Sequence, residues 1–113
     1  YNVCDCYVSP YRAEGFNLPV YEAMACQTPV IVTEGGATDD FARGEGARTI
    51  RSTLHRNAVV QQREVSGYCE PDLDHLVELL LQTGQKSGHA APVLLPTIHD
   101  WQAPVAQLLA LMP

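Results

Sequence analysis

Residues 9–41 read SPYRAEGFNLPVYEAMACQTPVIVTEGGATDDF, and they pass twice from a short strand through a glycine-containing turn into a helix. The β-branched run Val30–Thr33 is typical of a buried parallel strand. Val3–Ser9 predicts an earlier strand. Val20–Cys26 predicts a helix between the two strands, with Pro19 in its first turn, where the missing N–H costs nothing. This strand, helix, strand order predicts a parallel sheet.

The rest of the chain continues this alternation of strands and helices. Thr38 can cap a helix with two acids in its first turn, and Gly67–Cys69 predicts a third short strand. An amphipathic helix follows residues 71–72, and Trp101–Leu111 predicts a terminal helix. We therefore expect an α/β fold, a Rossmann-like parallel sheet with flanking helices. The apolar positions expected to face the core are Leu73, Leu76, Val77, Leu80 and Leu81 in the first of these helices, and Val105, Leu108, Leu109 and Met112 in the second.

Residues 43–66 are polar and lack a clear periodicity. They contain most of the basic residues of the chain, namely Arg43, Arg48, Arg51, Arg56 and Arg63. We expect an arginine-rich loop or hairpin that is solvated, with contact to an acceptor or a lipid phosphate as the alternative.

The formal net charge of −6 argues against a nucleic-acid or anionic-membrane surface. No window of the sequence approaches the ~20 apolar residues that a membrane span requires, and no secretory signal is visible. We therefore expect no nucleic-acid partner, no transmembrane segment and a cytoplasmic location, with peripheral membrane attachment as the alternative.

The sequence predicts no metal site. The four cysteines do not form the two close pairs typical of zinc sites, so we expect free and largely buried thiols. Residues 72–74 have the D-x-D spacing of a metal motif, but they follow a proline at a helix start, where acids act as caps. The four histidines are scattered, without the spacing of ligands.

The two glycine-containing turns, residues 14–19 and 34–38, are expected to lie together. Both follow strands of one parallel sheet, and ligands bind at the carboxyl ends of such strands. Each turn leads into a helix start, whose unpaired amides suit a phosphate. Glu14 would lie in the loop and Glu22 in the first turns of the helix, and carboxylates accept hydrogen bonds from hydroxyls. The pattern favours a diphosphate flanked by two hydroxyl-bearing groups.

With the glycine pair that follows, the motif E-G-F-x-L-P-x-x-E-A-M-A-C-x-x-P-V-I of residues 14–31 resembles the signature of glycosyltransferase family 4. Members are retaining enzymes of GT-B fold, and their Glu-x7-Glu pattern is matched by Glu14 and Glu22. GYCEPDLDHLVELL at 67–80 and HDW at 99–101 are similar to the end of their donor-binding domain. The resemblance implies transfer of a sugar from a nucleotide-diphosphate sugar to an acceptor hydroxyl, without a cofactor or metal.

By this resemblance, Glu14 binds the donor sugar and is the catalytic residue, and Glu22 holds the ribose hydroxyls. The other donor-binding residues implied are Gly15, Phe16, Asn17, Leu18, Gly35, Gly36 and Thr38. Two positions depart from the family, which commonly has glycine where Asn17 and Gln27 stand. Gln27 is expected to cost up to ~1 kcal/mol if its position is left-handed.

The resemblance also implies how much of an enzyme the chain represents. We expect residues 1–113 to be a partial nucleotide-sugar-binding domain, the C-terminal portion of a GT-B C-terminal domain, with the N-terminal acceptor domain outside it. Such a fragment alone is expected to be inactive. The acceptor, whether glycan, lipid or protein, is not indicated. The alternatives are a non-catalytic nucleotide-binding module or decayed transferase, and a related GT-B epimerase or phosphorylase.

Overall fold

The fold is given by a computed structural model, which describes residues 1–60, 63–85 and 102–111. Its elements alternate as the sequence predicts up to the second strand and then depart from that order. In chain order they are β1 (Tyr7–Ser9), α1 (Leu18–Ala25), β2 (Val30–Thr33), a one-turn 3₁₀ helix (Ala37–Asp40), β3 (Ala47–Ile50), β4 (Ser52–Val60), β5 (Arg63–Pro71), α2 (Leu73–Gln85) and α3 (Gln102–Ala110).

The first three strands form a parallel sheet in the order β1-β2-β3, as the sequence predicts. Every residue of the central strand β2 is buried. Because side chains alternate along a strand, Val30 and Val32 pack toward α1. Ile31 lies on the other face with Ile50 and Leu79 of α2. The sheet therefore has one helix on each face, which is the layering of an α/β fold.

Two strand predictions were wrong in position. The third strand of the sheet is Ala47–Ile50, whereas Gly67–Cys69 belongs to β5 in a separate antiparallel pair. Ile50 is the fully buried residue of β3, so this strand lacks the apolar run that marks β2. The first strand begins only at Tyr7, because the chain before it turns through a hydrogen bond from Cys4 N to Tyr1 O, 3.0 Å long.

An antiparallel hairpin overlaps the arginine-rich segment 43–66, for which a loop or a hairpin was expected, and extends beyond it to Pro71. β4 and β5 pair in antiparallel fashion from Ser52↔Pro71 to Val60↔Arg63. The preceding part of the segment forms the edge strand β3 of the main sheet. These strands were not predicted because β3 (ARTI) has no apolar run and β4 has only Val59 and Val60 as one.

Helix α1 is bounded by two left-handed residues. Asn17 precedes the helix at φ 65°, and Gln27 follows it at φ 62°. These are the two positions where the family commonly has glycine, and the condition stated for Gln27, a left-handed conformation, is met. Asparagine tolerates this conformation better than glutamine, so the strain lies mainly at the helix C-terminus, at about 1 kcal/mol.

The predicted inward face of α2 was wrong at four of its five positions. Leu76 is partly buried and packs against the core, as predicted, whereas Leu73, Val77, Leu80 and Leu81 are exposed. The buried residue is Leu79, which was not predicted. The helix start fixes this rotation. The Asp72 carboxylate accepts the amide of His75 at 3.0 Å, and His75 Nδ1 accepts the amide of Arg51 at 2.9 Å. The apolar side chains of α2 therefore extend around more of the helix than the part that packs against the sheet.

The terminal helix α3 also differs from expectation, since Val105 and Leu109 are exposed. Trp101, Leu108 and Met112 lie outside the residues whose side chains are described, as do His89 and His99. Among the described residues, no helix has the length and apolar character that crossing a membrane requires.

The thiols are free, as predicted, but the expectation that most are buried was wrong. Only Cys69 is buried; Cys4 and Cys26 are exposed and Cys6 is half-buried. Burial raises the pKa of the Cys6 thiol above its ordinary value.

Candidate functional site at the carboxyl edge of the sheet

The two glycine-containing turns meet at the carboxyl edge of the sheet. The hydroxyls of Tyr11 and Thr38 share a hydrogen bond of 2.8 Å, which joins the loop after β1 to the turn after β2. The rings of Phe16 and Phe41 stack with centroids 5.0 Å apart. The predicted convergence of the turns is therefore confirmed. These contacts establish where the two turns lie, and they do not identify a ligand.

The first turn, Glu14–Leu18, presents unused backbone donors. The amides of Gly15, Phe16, Asn17 and Leu18 donate to no acceptor among the residues that the structure describes. Asn17 orients the run, because its left-handed backbone turns the chain into α1 and its side-chain amide donates to Ser9 Oγ at 3.0 Å. Successive amides before a helix form a concave anion-binding arrangement.

Gly15 has open space around it. A Cβ built at this position meets nothing within 4 Å, and its φ is not left-handed. Neither packing nor backbone conformation in the described part of the chain therefore requires glycine here. Glycine at this position would also allow a ligand to approach the backbone closely.

The two glutamates flank this run of amides. Glu14 is exposed and makes no hydrogen bond or ion pair with the described residues. Glu22 is exposed on α1, and its Oε2 accepts the Tyr1 hydroxyl at 2.9 Å. This hydrogen bond is the main cause that raises the pKa of Tyr1. Glu22 thus already accepts an O–H group, the chemistry predicted for it, whereas its binding of a ribose remains a prediction.

Aromatic side chains close the side of the first turn. Phe16 contacts both Tyr21, at 5.7 Å between ring centroids, and the buried Phe41. Phe16 nevertheless remains 46% exposed, and Leu18 is 62% exposed. Both side chains therefore present apolar surface beside the unused amides.

The second turn, Glu34–Thr38, differs from the sequence interpretation. It leads into the 3₁₀ helix and not into an α-helix, and Gly36, not Thr38, precedes that helix. Thr38 is fully buried, and its amide donates to the Tyr11 hydroxyl at 3.3 Å. The Gly35 amide donates to Asp39 Oδ2 at 2.9 Å. An internal carboxylate therefore already takes an amide that was expected to face a phosphate.

The structure explains why both positions 35 and 36 of the second turn are glycine. Gly35 has φ 84°, which disfavours a side chain. A Cβ on Gly36 would lie 2.6 Å from the Tyr11 hydroxyl oxygen. Sequence reasoning did not single out Tyr11, and an aromatic residue two positions after a strand carries no local signal of this contact.

The root of the β4–β5 hairpin also reaches this edge, which the sequence did not indicate. The Ser52 amide donates to Glu34 Oε1 at 3.1 Å, and the Cys69 amide donates to Arg12 O at 2.8 Å. Arg12 forms a bidentate ion pair with Glu70, at 2.7 Å from Nε to Oε2. Contacts across 58 residues leave no spacing pattern in the sequence.

A shallow groove of about 270 Å³ lies beyond the second turn and not at the first. Its lining includes Glu34, Asp39 and Arg43. The two acids are used internally, on Ser52 N and Gly35 N. The groove therefore does not coincide with the residues predicted to bind the donor.

Among the described residues, no group of three or more histidine, cysteine or acidic side chains is arranged to hold a metal ion. The prediction that Asp72 is a cap is confirmed by its hydrogen bond to the His75 amide. This bond is the first cause of the lowered pKa of Asp72, followed by the effect of Arg51, with burial acting in the opposite direction.

Comparison with known proteins gives two findings. The sequence profile of the family described as "Glycosyl transferases group 1" matches residues 1–69, which include both turns. The lipopolysaccharide core biosynthesis mannosyltransferase LpsB of Rhizobium meliloti (strain 1021) is 41% identical over 49 residues, a stretch that covers 43% of this chain and 14% of the relative. No solved structure shows a significant match. The profile spans well over half of the chain, and on that ground the chain belongs to the group 1 glycosyl transferases.

Proposed function

We propose that this chain contains the donor-binding part of a retaining glycosyltransferase of GT-B type. The observation that supports this most directly is the run of four unused amides from Gly15 to Leu18 with Glu14 and Glu22 on either side. Such amides hold a diphosphate, and the carboxylates hold the hydroxyls of the groups attached to its two ends. The substrate class that fits is a nucleotide-diphosphate sugar.

In the proposed reaction, the bond between the anomeric carbon and the diphosphate oxygen breaks. An acceptor hydroxyl forms the new bond on the same face of the sugar and passes its proton to the departing diphosphate oxygen, and the nucleoside diphosphate leaves. The amides of the first turn stabilise the negative charge that develops on the leaving group. Glu14 binds the donor sugar and is the catalytic carboxylate, and Glu22 binds the ribose hydroxyls.

The remaining donor-binding residues have unequal support. Phe16 and Leu18 present exposed surface beside the amides, and Gly15 leaves space for a ligand. Gly35, Gly36 and Thr38 act by shaping the neighbouring wall, since Thr38 is buried and bonded to Tyr11. Neither a cofactor nor a metal is part of the proposal.

The relative suggests where to begin with substrates. LpsB is named as a mannosyltransferase of lipopolysaccharide core biosynthesis, and we therefore propose a hexose donor, with a mannose donor tested first. The acceptor domain is proposed to lie outside these residues, and the protein to work in the cytoplasm, free or at the membrane surface.

A thermal-shift panel of UDP-, GDP- and ADP-sugars on the intact protein tests this proposal. A donor that binds only the folded state raises its melting temperature, by an amount set by concentration over Kd. Glu22→Ala should weaken donor binding, and Glu14→Ala should depress turnover more than binding. Glu45→Ala is the matched control, because Glu45 is an exposed glutamate beyond the 3₁₀ helix. Unchanged affinity and turnover in both site variants would refute the assignment.

A non-catalytic nucleotide-binding module is the second candidate. Arg12, the basic residue closest in sequence to the first turn, is paired with Glu70 and does not face a phosphate unopposed. A module would bind the nucleotide sugar with the same dependence on Glu22 but would release no nucleoside diphosphate with any acceptor. Measurement of nucleoside diphosphate release by the intact protein separates the two.

A further inference from the structure

The root of the β4–β5 hairpin carries an aromatic pair and an acid on one face. His55 lies opposite Tyr68, and Thr53 lies opposite Glu70, so the four side chains share a face of the two-stranded sheet. The rings of His55 and Tyr68 stack, with centroids 4.8 Å apart and planes 18° from parallel. His55 is exposed and Tyr68 is half-buried, which leaves ring surface accessible.

Arg12 joins this face from the loop before the first turn. Its Nε and Nη2 donate to the two oxygens of Glu70 at 2.7 and 2.8 Å. The side chains of Arg12 and Glu70 are 67% and 37% exposed, so both keep accessible polar surface. A carboxylate has about four lone-pair positions and a guanidinium five N–H donors, and the pair uses two of each. The remaining positions suit hydroxyl groups.

The position of this face relative to the first turn is fixed. The Cys69 amide donates to Arg12 O at 2.8 Å, and the Cys69 thiol donates to Gly35 O at 3.3 Å. The Ser52 hydroxyl donates to Glu34 O at 2.8 Å. The hairpin root therefore contacts the second turn and the loop that leads into the first turn, in which Arg12 stands two residues before Glu14.

We propose that the hairpin face, defined as Arg12, His55, Tyr68 and Glu70, is a second carbohydrate subsite that binds a sugar ring of the acceptor. A sugar ring has an apolar C–H face that packs on aromatic rings and adjacent hydroxyls that bind a rigid carboxylate and guanidinium. The proposed donor already has Glu14 and Glu22 for its hydroxyls, so a further sugar-binding surface that includes Arg12, from the loop that carries Glu14, suits the second substrate. This inference rests on the proposed function.

Saturation-transfer NMR on the intact protein tests the hairpin face with methyl α-mannopyranoside and methyl β-glucopyranoside as minimal sugar rings. The spectra are recorded with the donor site filled by GDP or UDP, whichever the thermal-shift panel selects. Transfer to at least one glycoside is expected in the unmodified protein. Tyr68→Ala and Glu70→Gln should each weaken it by roughly 3- to 10-fold, the effect of one lost contact. His55→Ala removes the other ring of the stacked pair at an exposed position. It should weaken the transfer in the same way, and it keeps the test valid if the Tyr68 variant misfolds.

Arg56→Ala is the matched control, because Arg56 is exposed on the opposite face of the same hairpin and pairs with Gly67. It should leave the transfer unchanged. The absence of transfer in the unmodified protein would overturn the proposal, as would a loss of nucleotide-sugar affinity in Tyr68→Ala, which would place the face in the donor site. Variants that lower the melting temperature but not glycoside binding would reduce the face to a cross-strand packing element.

The test distinguishes failure of this inference from failure of the proposed function. If glycosides bind while no nucleotide sugar stabilises the protein, the hairpin face still binds sugar, but its assignment to an acceptor fails together with the proposed function. In that event the NMR spectra are recorded without nucleotide. The variants Tyr68→Ala, Glu70→Gln and His55→Ala then show whether the glycoside binds at the hairpin face.

Discussion

The first and second turns look alike in sequence but differ in how their polar groups are used. Four amides of the first turn have no acceptor in the described part of the chain. In the second turn, Asp39 takes the Gly35 amide and Tyr11 takes the Thr38 amide, and only the amides of Gly36 and Ala37 lack an acceptor among the described residues. Glycine in a turn before a helix therefore does not by itself indicate an anion site. What distinguishes a ligand-binding turn is that its donors are left over after the protein has bonded its own groups.

The largest expected effect comes from Gly36→Ala, which attacks the packed turn. Its Cβ would lie 2.6 Å from the Tyr11 hydroxyl, and Tyr11 is held by Thr38, so the contact cannot relax freely. We expect a loss of about 2 kcal/mol in unfolding free energy, measured by urea denaturation. In a Tyr11→Leu background the same substitution should cost less, and an equal cost in both backgrounds would rule out the steric cause.

Tyr11→Phe tests the hydrogen bonds that join the two turns. The change leaves the buried Thr38 hydroxyl without its 2.8 Å partner, at a cost of about 1–2 kcal/mol. Tyr21→Phe is the control and should change stability less, because Tyr21 is half-buried on α1 and its hydroxyl has no hydrogen-bond partner among the described residues. Equal unfolding midpoints for the two variants and the unmodified protein would show that the turns are held together by packing alone.

Thr33→Val tests a buried hydroxyl that lies just before the second turn and has no hydrogen-bond partner in the described part of the chain. Thr33 ends β2 and is fully buried, and its hydroxyl has no hydrogen-bond partner among the described residues. Valine has the same shape without the unsatisfied group, so we expect a gain of about 1 kcal/mol in unfolding free energy. Loss of stability in the intact protein would mean that a group outside the described residues bonds this hydroxyl.

Gly15→Ala should show most clearly how the first turn differs from the second, because it is expected to change ligand affinity and to leave stability almost unchanged. The added Cβ meets nothing within 4 Å, so the unfolding free energy should stay within about 0.5 kcal/mol of the original. Affinity for the nucleotide sugar should nevertheless fall, because the methyl group narrows the approach to the amides. Calorimetry beside urea denaturation measures both quantities, and unchanged affinity would count against the first turn as the phosphate site.

The smallest expected effect is the pH dependence of the Arg12–Glu70 pair, which ties the first loop to the hairpin. The hydrogen bond from Arg12 lowers the pKa of Glu70 below its ordinary value of 4.5, so its stabilisation is complete above that value. It is lost as the pH falls through the lowered pKa in the folded state. The difference in urea midpoint between the unmodified protein and Glu70→Gln should therefore be larger at pH 7 than at pH 3. A pH-independent difference would exclude the ion pair as its source.

Local signals predicted part of this structure well. Strand β2 is an unbroken β-branched run, and Pro19 marks the start of α1, so both were found close to their observed bounds. β3 was missed because an edge strand with Arg48 and Thr49 has no apolar run. The face of α2 was misplaced because its rotation depends on the cap that Asp72 forms at the His75 amide and on His75 Nδ1, which accepts the amide of Arg51, 24 residues away.

The candidate site divides in the same way. The positions of Glu14, Glu22 and the glycines follow from short-range motifs, and a motif is visible in one sequence because its residues are neighbours along the chain. Tyr11, Cys69 and Glu70 had to be located in three dimensions, since their partners lie 27 to 58 residues away.

The amino-acid sequence alone determined the family resemblance, the parallel α/β character and the convergence of two turns at one edge. These depend on backbone propensity and on the rule that parallel strands end on the same side. Only the tertiary structure decided that the Gly35 and Thr38 amides of the second turn are used internally, whereas four amides of the first turn have no described acceptor. That outcome depends on side chains brought together from distant parts of the chain, because a hydrogen bond is made wherever a partner arrives and leaves no mark in the local sequence.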